Sequence, residues 1–267
     1  MKPIMRAIVL AGAMVLATTG FAAAGDNHHA GSSMTWKGGG FVAVSPKYEG
    51  SDEYRVVGAP FIFPSFGSAS NIVDVRGIDD VRLKLFKNRW MVAGPLAGYQ
   101  FGRDEEDGDK LVGLGDIDGG FVVGAFAGIK LMPSLIFGAS YHRTVSGDVE
   151  GGQLRFGLEY EQPISSTLTF FGKTGATYAD DEYMDAYFGV SNAQSNTSRA
   201  GLTVFDASSG IKDVYVGAGV KYQMSRRWSF KVNGRYSRLL GDAADSPVIE
   251  TEDQFSGSAN VVYKFGR

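Results

Sequence analysis

Apolar and polar residues alternate along twelve segments of the chain. In the clearest of them, apolar and polar residues take alternate positions. The apolar residues are Leu154, Phe156, Leu158 and Tyr160, and the polar residues are Gln153, Arg155, Glu159 and Glu161. Side chains on a strand point alternately to its two faces, so a period of two predicts β-strands. The predicted strands cover 36–45, 53–63, 70–76, 80–86, 89–102, 119–131, 134–146, 152–163, 167–180, 210–224, 227–240 and 254–265.

The links between these segments alternate between tight turns and long polar connections. The tight turns are 87–88, 132–133, 164–166 and 225–226; the long connections are 103–118, 147–151, 181–210 and 241–253. Outer-membrane barrels have short turns on the periplasmic side and longer loops outside, and an even strand number places both chain ends in the periplasm. A soluble sandwich is the alternative. It would show similar strand spacing but no such difference between its two ends.

The first 24 residues have the features of a secretory signal peptide. Lys2 and Arg6 supply the positive start, 8–21 is mostly apolar, and three alanines at 22–24 offer a cleavage site. An uncleaved anchor is the alternative, but the apolar stretch is short for a membrane span. We therefore predict three regions: a signal peptide at 1–24, a flexible N-terminal tail at 25–35, and an outer-membrane β-barrel at 36–267.

Composition narrows the choice further. The chain has no cysteine, which excludes disulfides and Cys-type zinc sites. Its net charge of -3 becomes -5 if the predicted signal peptide, with its two cations, is removed, and this acidic balance argues against a nucleic-acid partner. After the signal no apolar run is long enough for a spanning helix, so membrane insertion requires a closed barrel. The predicted fold is all-β: a single antiparallel transmembrane β-barrel of about 12 strands (range about 10–14).

An acidic cluster lies in the first long connection. Its candidate ligands for a divalent ion are Asp104, Glu105, Glu106, Asp107 and Asp109. Closely spaced oxygen ligands can hold calcium, but the run lacks the length and terminal Glu of an EF-hand. Charge runs are more often solvated loops. We therefore favour an outer loop that meets divalent ions among the surface lipids, without a dedicated metal site.

His142 is the histidine nearest to other chemistry-bearing groups, with Tyr141, Arg143 and Asp148 close in sequence. A nucleophile needs its base within hydrogen-bond reach, and no local pairing of that kind is visible. The chain also has no GxSxG elbow. We predict no catalytic residues, no cofactor and no enzymatic activity.

Charged residues on the inward parity of the strands would line the lumen. These candidates are Arg82, Lys84, Arg155, Glu159, Lys173, Lys221, Lys231 and Arg235. In a narrow barrel they would form an ion-pair plug, and in a wide one they would line a pore.

The longest connection interleaves Asp180, Asp181, Glu182 and Asp185 with Tyr183, Tyr187 and Phe188. It is predicted to be either a partner surface or a lid at the barrel mouth, and both readings stay open.

Several short motifs follow one another along the chain. They are Pro46-Lys47-Tyr48-Glu49-Gly50-Ser51 with Tyr54, Gly94-Pro95, Gly102-Arg103, Leu114-Gly115-Asp116-Ile117-Asp118, Tyr187-Phe188-Gly189-Val190-Ser191 with Gln194-Ser195, Gly241-Asp242, and Asp245-Ser246-Pro247. In this order and spacing the chain resembles the MltA-interacting protein / outer-membrane protein V family.

The resemblance implies a structural, scaffolding or interaction protein of the outer membrane, with no catalytic residues to carry over. The implied partners are outer-membrane lipid and lipopolysaccharide, and a murein synthase with a lytic transglycosylase. A small-solute channel and a surface adhesin, the latter resting on 181–210, are the alternatives.

Overall fold

The computed structural model describes residues 34–66 and 72–265. Its strands are β1 (Met34–Pro46), β2 (Tyr54–Phe66), β3 (Val73–Gly77), β4 (Asp80–Leu83), β5 (Phe86–Lys87), β6 (Met91–Gln100), β7 (Gly120–Met132), β8 (Leu135–Thr144), β9 (Gly152–Pro163), β10 (Leu168–Ala179), β11 (Gly210–Gln223), β12 (Trp228–Leu239) and β13 (Asp253–Phe265). The predicted signal peptide and the predicted tail up to residue 33 lie outside the described residues. β1 begins at Met34.

All strands belong to one antiparallel sheet that curls on itself. The order runs β2-β1-β13-β12-β11-β10-β9-β8-β7-β6-β4-β3, with β5 also paired to β6. The first and last strands are neighbours, with Trp36 opposite Phe265. The order ends at β2 and β3, which are consecutive in the chain. The guanidinium of Arg55 on β2 lies 6.0 Å from the ring centroid of Phe101, just beyond β6, so the sheet brings its two ends towards each other.

The segment predicted as one strand over 80–86 is divided into β4 and β5. Val81 and Arg82 pair with Ala97 and Leu96, whereas Phe86 pairs with Ala93, so the β4–β5 side carries one extra residue, a β-bulge. Tyr99 of β6 donates its backbone N–H to Ile78, and N–H groups alternate sides along a strand. Pro95 therefore occupies a position where an N–H would point towards β4, and it has none to donate.

The alternation read from the sequence matches the two faces of the sheet. On β11 the valines at 214, 216 and 220 are exposed on the outer face, whereas Asp213 and Gly217 are buried on the inner face. A register shift against β10 makes Lys212 an extra residue, and it is buried as well. The register places the inward residues opposite one another, with Lys173 of β10 facing Glu159 of β9 and Gly217 of β11. The outer face is thus apolar and the inner face polar, as the period of two predicts.

The tight turns are closed by polar side chains. Asn88 Oδ1 accepts hydrogen bonds from the backbone N–H of Trp90 and Met91, at 2.7 and 2.8 Å. Ser165 and Ser225 each accept from two N–H groups in the same way. Short polar side chains of this kind replace the missing ladder partners and fix the turn. They define one end of the sheet, which we call the short-turn end.

The long connections meet at the opposite, long-loop end. They contain three helices and two 3-10 helices: α1 (Asp181–Phe188), α2 (Asn192–Thr197), α3 (Asp242–Asp245), and the turns Glu105–Asp107 and Asp109–Leu111. Asp180 caps α1 by accepting from Tyr183 N–H at 3.0 Å, and Ser191 with Gln194 forms a capping box on α2. In the described part of the chain, no helix is long and apolar enough to cross a membrane.

Candidate functional site

The long connections pack into a structure that covers the long-loop end of the lumen. We call the loops 47–53, 101–119, 145–151, 180–209 and 240–252 the cap. Together with Ala179 and Leu239 at the strand ends below it, the cap forms the larger of the two buried apolar clusters among the described residues. The cap residues of this cluster are Tyr48, Leu111, Leu114, Tyr183, Met184, Phe188, Val190, Ala207, Ala243, Val248 and Ile249. The longest loop therefore folds over the lumen with most of its large apolar side chains packed inward, and Phe188 and Val190 are fully buried.

Hydrogen bonds tie the loops of the cap to one another. Arg103 Nη1 donates to the carbonyl of Tyr187 at 2.8 Å, and Tyr48 OH donates to the carbonyl of Val248 at 3.2 Å. Ser246 Oγ donates to the carbonyl of Phe188. Each bond joins residues that are at least 58 positions apart, so the cap is one cooperative unit and not a set of independent loops.

Two stacked tyrosines form the underside of the cap. The rings of Tyr183 and Tyr187 lie 4.5 Å apart. Burial raises the pKa of Tyr187 to about 12 and raises the pKa of Tyr183 well above its usual value. Both phenols are therefore neutral at physiological pH. Tyr183 OH donates to Glu49 and accepts from Gln100, each at 3.3 Å.

A buried ion cluster lies where the cap meets the strands. Lys212 Nζ is 2.8 Å from Glu49 Oε1 and 2.8 Å from Asp213 Oδ2, and Arg235 lies 3.3 Å from the other oxygen of Asp213. The side chain of Lys212 is only 4% exposed. Ion pairs therefore connect β11 and β12 with the loop 47–53 that carries Glu49.

More ion pairs cross the middle of the lumen. The turn between β3 and β4 bends inward over Gly98, where a Cβ would meet the backbone of Asp79 at 2.4 Å. This brings Asp79 Oδ2 to within 2.5 Å of Arg155 Nη1 on β9. Arg76 of β3 pairs with Glu159, which also lies on β9. β3 and β9 are far apart in the strand order. These pairs therefore span the lumen and narrow it.

The eight predicted lumen residues all lie on the inner face. Arg82 is buried against Asp80 at 2.7 Å and Lys84 pairs with Asp74 at 3.1 Å. The set thus divides in two. Ion pairs fill the lumen from the cap to its middle, whereas Lys173, Lys221 and Lys231 have no carboxylate within ion-pair distance among the described residues.

A serine lies beside the histidine, a contact the sequence reading did not anticipate. Ser140 Oγ is 3.0 Å from His142 Nε2, because residues two apart on β8 share its inner face. Ser140 also accepts a hydrogen bond from Arg82, and the Nδ1 of His142 is buried with no hydrogen-bond partner among the described residues. Both residues are under 5% exposed. A nucleophile needs a base oriented by a third group and access to substrate, and this pair has neither.

The acidic loop uses its carboxylates locally. Asp107 accepts from the N–H of Asp104, Glu105 accepts from Gly113, and Asp116 accepts from Glu105. In the part of the chain that the structure describes, no three carboxylate or imidazole groups come together in an arrangement that could hold a metal ion. Ion binding by Asp104, Glu105, Glu106, Asp107 and Asp109 stays a prediction.

A family model for the MltA-interacting protein MipA matches residues 38–265. The chain belongs to this family. It is 28% identical over 91 residues to outer membrane protein Omp26La of Vibrio anguillarum, and 28% identical over 91 residues to outer membrane protein OmpV of Vibrio cholerae; each match covers 34% of this chain and 34% of the relative. The putative outer membrane protein YiaT of Escherichia coli K12 is 29% identical over 91 residues, 34% of this chain and 36% of its own. The chain thus spans about a third of the length of the curated relatives it matches.

Among solved structures, the translocator domain of the autotransporter NalP from Neisseria meningitidis aligns with a TM-score of 0.40 and 13% identity, covering 89% of this chain and 90% of that one.

This family member is an outer-membrane β-barrel protein. Its location gives the two ends of the sheet a direction: the long-loop end with the cap faces outward, and the short-turn end faces the periplasm. The apolar outer face contacts membrane lipid, and aromatic side chains flank it at both levels. Trp228 packs on Tyr263 towards the periplasm, and Tyr236 packs on Phe255 towards the outside.

Sequence reasoning found Glu159 but missed the other acidic partners and two of the lumen lysines. Asp79 and Glu49 reach their cations from a turn and a loop, for which no local pattern exists. Lys37 and Lys264 have the inward parity of β1 and β13 and face each other across the ladder. The same alternation that identified Lys221 would have found them.

Proposed function

We propose that this protein is a non-catalytic interaction protein of the outer membrane that holds a lytic transglycosylase of the MltA type at the periplasmic face. The family match over 38–265 carries the proposal, because the family is named for that interaction. A murein synthase bound to the same complex would extend it to the scaffold that the sequence resemblance implies.

The geometry supports a periplasm-facing role. The cap packs its own apolar residues and leaves the outer end closed, so an apolar partner has little to bind there. The described turns at this end, 88–90, 133–134, 164–167 and 224–227, are short, and they carry the exposed Arg89, Arg226 and Arg227. Exposed turns are a suitable platform for a soluble enzyme, and the arginines would contribute charge complementarity.

A co-purification experiment tests this proposal. Tagged protein is extracted from membranes in mild detergent, and bound lytic transglycosylase is measured. We expect recovery with the wild type and with Arg199→Glu, an exposed cap residue, and a clear loss with the double variant Arg89→Glu/Arg226→Glu on the periplasmic turns. Absence of the transglycosylase from the wild-type preparation, with the barrel intact, would contradict the proposal.

A small-solute channel is the second candidate, favoured by one observation: Lys173, Lys221 and Lys264 are exposed although they face the lumen. Conduction would require the cap and the crossing ion pairs to open. Planar-bilayer recordings decide this, since a channel would give discrete current steps and a closed barrel none.

A surface adhesin is the third candidate, and its support is limited to the exposed polar residues of 180–209. Deleting that loop and measuring surface binding tests it.

A further inference from the structure

The periplasmic half of the lumen carries lysines without acidic partners. Lys37 of β1, Lys221 of β11, Lys231 of β12 and Lys264 of β13 have inward parity near the short-turn ends of four adjacent strands, and Lys173 of β10 lies deeper in the lumen, opposite Glu159. We call this group the basic vestibule. None of the lumen ion pairs described above includes one of these five lysines, and most of those pairs lie nearer the cap.

The arrangement brings like charges together. Lys37 lies directly opposite Lys264, and Lys221 lies directly opposite Lys231. Lys221 is also within electrostatic range of both Lys37 and Lys231. Like charges directly opposite in a ladder destabilise a sheet. Two such pairs side by side indicate that the vestibule serves something other than the stability of the barrel.

The acidic groups near the vestibule do not neutralise it. Asp74 and Glu161 are within electrostatic range of Lys231. Asp74 is already held by Arg76 and Lys84, both at 3.1 Å. Glu161, on the inner face of β9, is a single carboxylate, so it offsets only one of the five positive charges.

Glu159, the ladder neighbour of Lys173, pairs with Arg76. The ammonium group of Lys231 rests 4.8 Å from the ring centroid of Phe171, which positions it without removing its charge. The vestibule therefore keeps a net positive charge.

Part of the inner wall beside the lysines is open to solvent. Ser229 and Asn260 contribute short polar side chains there, whereas the rings of Phe61 and Phe171 lie over Gly39 and Gly219. Lys173, Lys221 and Lys264 are exposed to solvent even though they point inward. Their ammonium groups can thus reach a molecule that enters from the periplasm.

We propose that the basic vestibule is a binding site for a small solute that carries several phosphate or carboxylate groups. Each ammonium group supplies up to three charge-assisted hydrogen bonds to such oxygens. The ligand enters from the periplasm, because the cap and the crossing ion pairs close the other end. It is small, because those ion pairs limit the depth of the lumen. This site is independent of the partner considered under the proposed function.

Calorimetric titration of the detergent-solubilised full-length protein tests the site, with inorganic tripolyphosphate as the probe at low ionic strength and citrate as a second arm. We expect saturable binding of tripolyphosphate that weakens as salt is added. The double variants Lys221→Gln/Lys231→Gln and Lys37→Gln/Lys264→Gln should each lose about tenfold or more in affinity. Binding of citrate as well would assign a site for carboxylates and phosphates, and binding of tripolyphosphate alone a site for phosphates.

Two controls keep the test decisive. Arg199→Gln removes one positive charge from the cap and should leave the affinity unchanged. Lys221→Arg/Lys231→Arg keeps the charge and should retain binding. The Gln variants should also resist heat unfolding at least as well as the wild type, because they remove like-charge repulsion. Absence of binding to the wild type, or equal binding by the folded Gln variants, would overturn the proposal.

Discussion

Phe188 occupies the centre of the cap. Its side chain is fully buried, at the C-terminal end of α1 and among residues from several different loops. Replacing it with alanine leaves a cavity, and such changes cost about 3–5 kcal/mol. The cap is local structure, so this cost should appear as local opening and not as loss of the barrel.

We therefore expect Phe188→Ala to speed amide hydrogen exchange in α1 and at the Val190–Phe205 bridge by roughly a hundredfold or more. The matched control is Val204→Ala in the same loop, where the side chain is 45% exposed. This control should leave exchange unchanged. Equal protection of α1 in Phe188→Ala and the wild type would show that the cap does not depend on this cluster.

Lys212 tests the buried charges beneath the cap. Removing one partner of a buried ion pair leaves the others uncompensated and typically costs about 3–5 kcal/mol. Lys212→Met should accordingly lower the urea midpoint of unfolding, because Glu49 and Asp213 would lose their shared cation. Arg238→Met is the contrasting variant. Its side chain is 48% exposed and pairs with Glu252 and Asp253, so its loss should not be measurable. Similar midpoints for both variants would contradict the account of the cluster.

At the scale of single elements, the period-two rule predicts which strand positions accept charge. Val216 lies near the middle of β11, 54% exposed on the outer face. An arginine there would sit in hydrocarbon, at a cost of roughly 2–4 kcal/mol near the bilayer midplane. Lys221→Arg on the inner face of the same strand should be neutral. Refolding into lipid vesicles and unfolding in urea measure the difference; equal stabilities would mean that β11 has the opposite orientation.

Elements with a strict pattern could be predicted from the sequence, and elements without one could not. β9 alternates over its whole length and β11 alternates from Asp213 onward, so their faces and the lumen residues Arg155 and Lys221 followed directly. β4 and β5 were predicted as one strand because alternation does not reveal a bulge opposite Pro95. The helices of the cap were missed, since α1 and α2 are short segments within polar loops whose packing depends on distant partners.

At the scale of the whole molecule, the sidedness of the links predicted a directional barrel, but not how its ends are finished. The closed outer end depends on contacts such as Tyr48 with Val248, which lie 200 residues apart. The crossing pair of Asp79 and Arg155 depends on a short hairpin that bends inward. Neither leaves a local signal. The resulting molecule is a cup that is closed outside and lined with lysines towards the periplasm.

The absence of native cysteine allows the most direct test of this cup. Single cysteines are introduced at Thr203 in the cap and at Lys264, near the periplasmic mouth of the lumen. Cells are then treated with a polyethylene-glycol maleimide too large to pass the outer membrane. We expect Thr203→Cys to be labelled on intact cells, and Lys264→Cys only after the outer membrane is permeabilised. Labelling of Lys264→Cys on intact cells as fast as Thr203→Cys, or of Thr203→Cys only after permeabilisation, would contradict a barrel whose cap faces outward and whose lysine-lined end faces the periplasm.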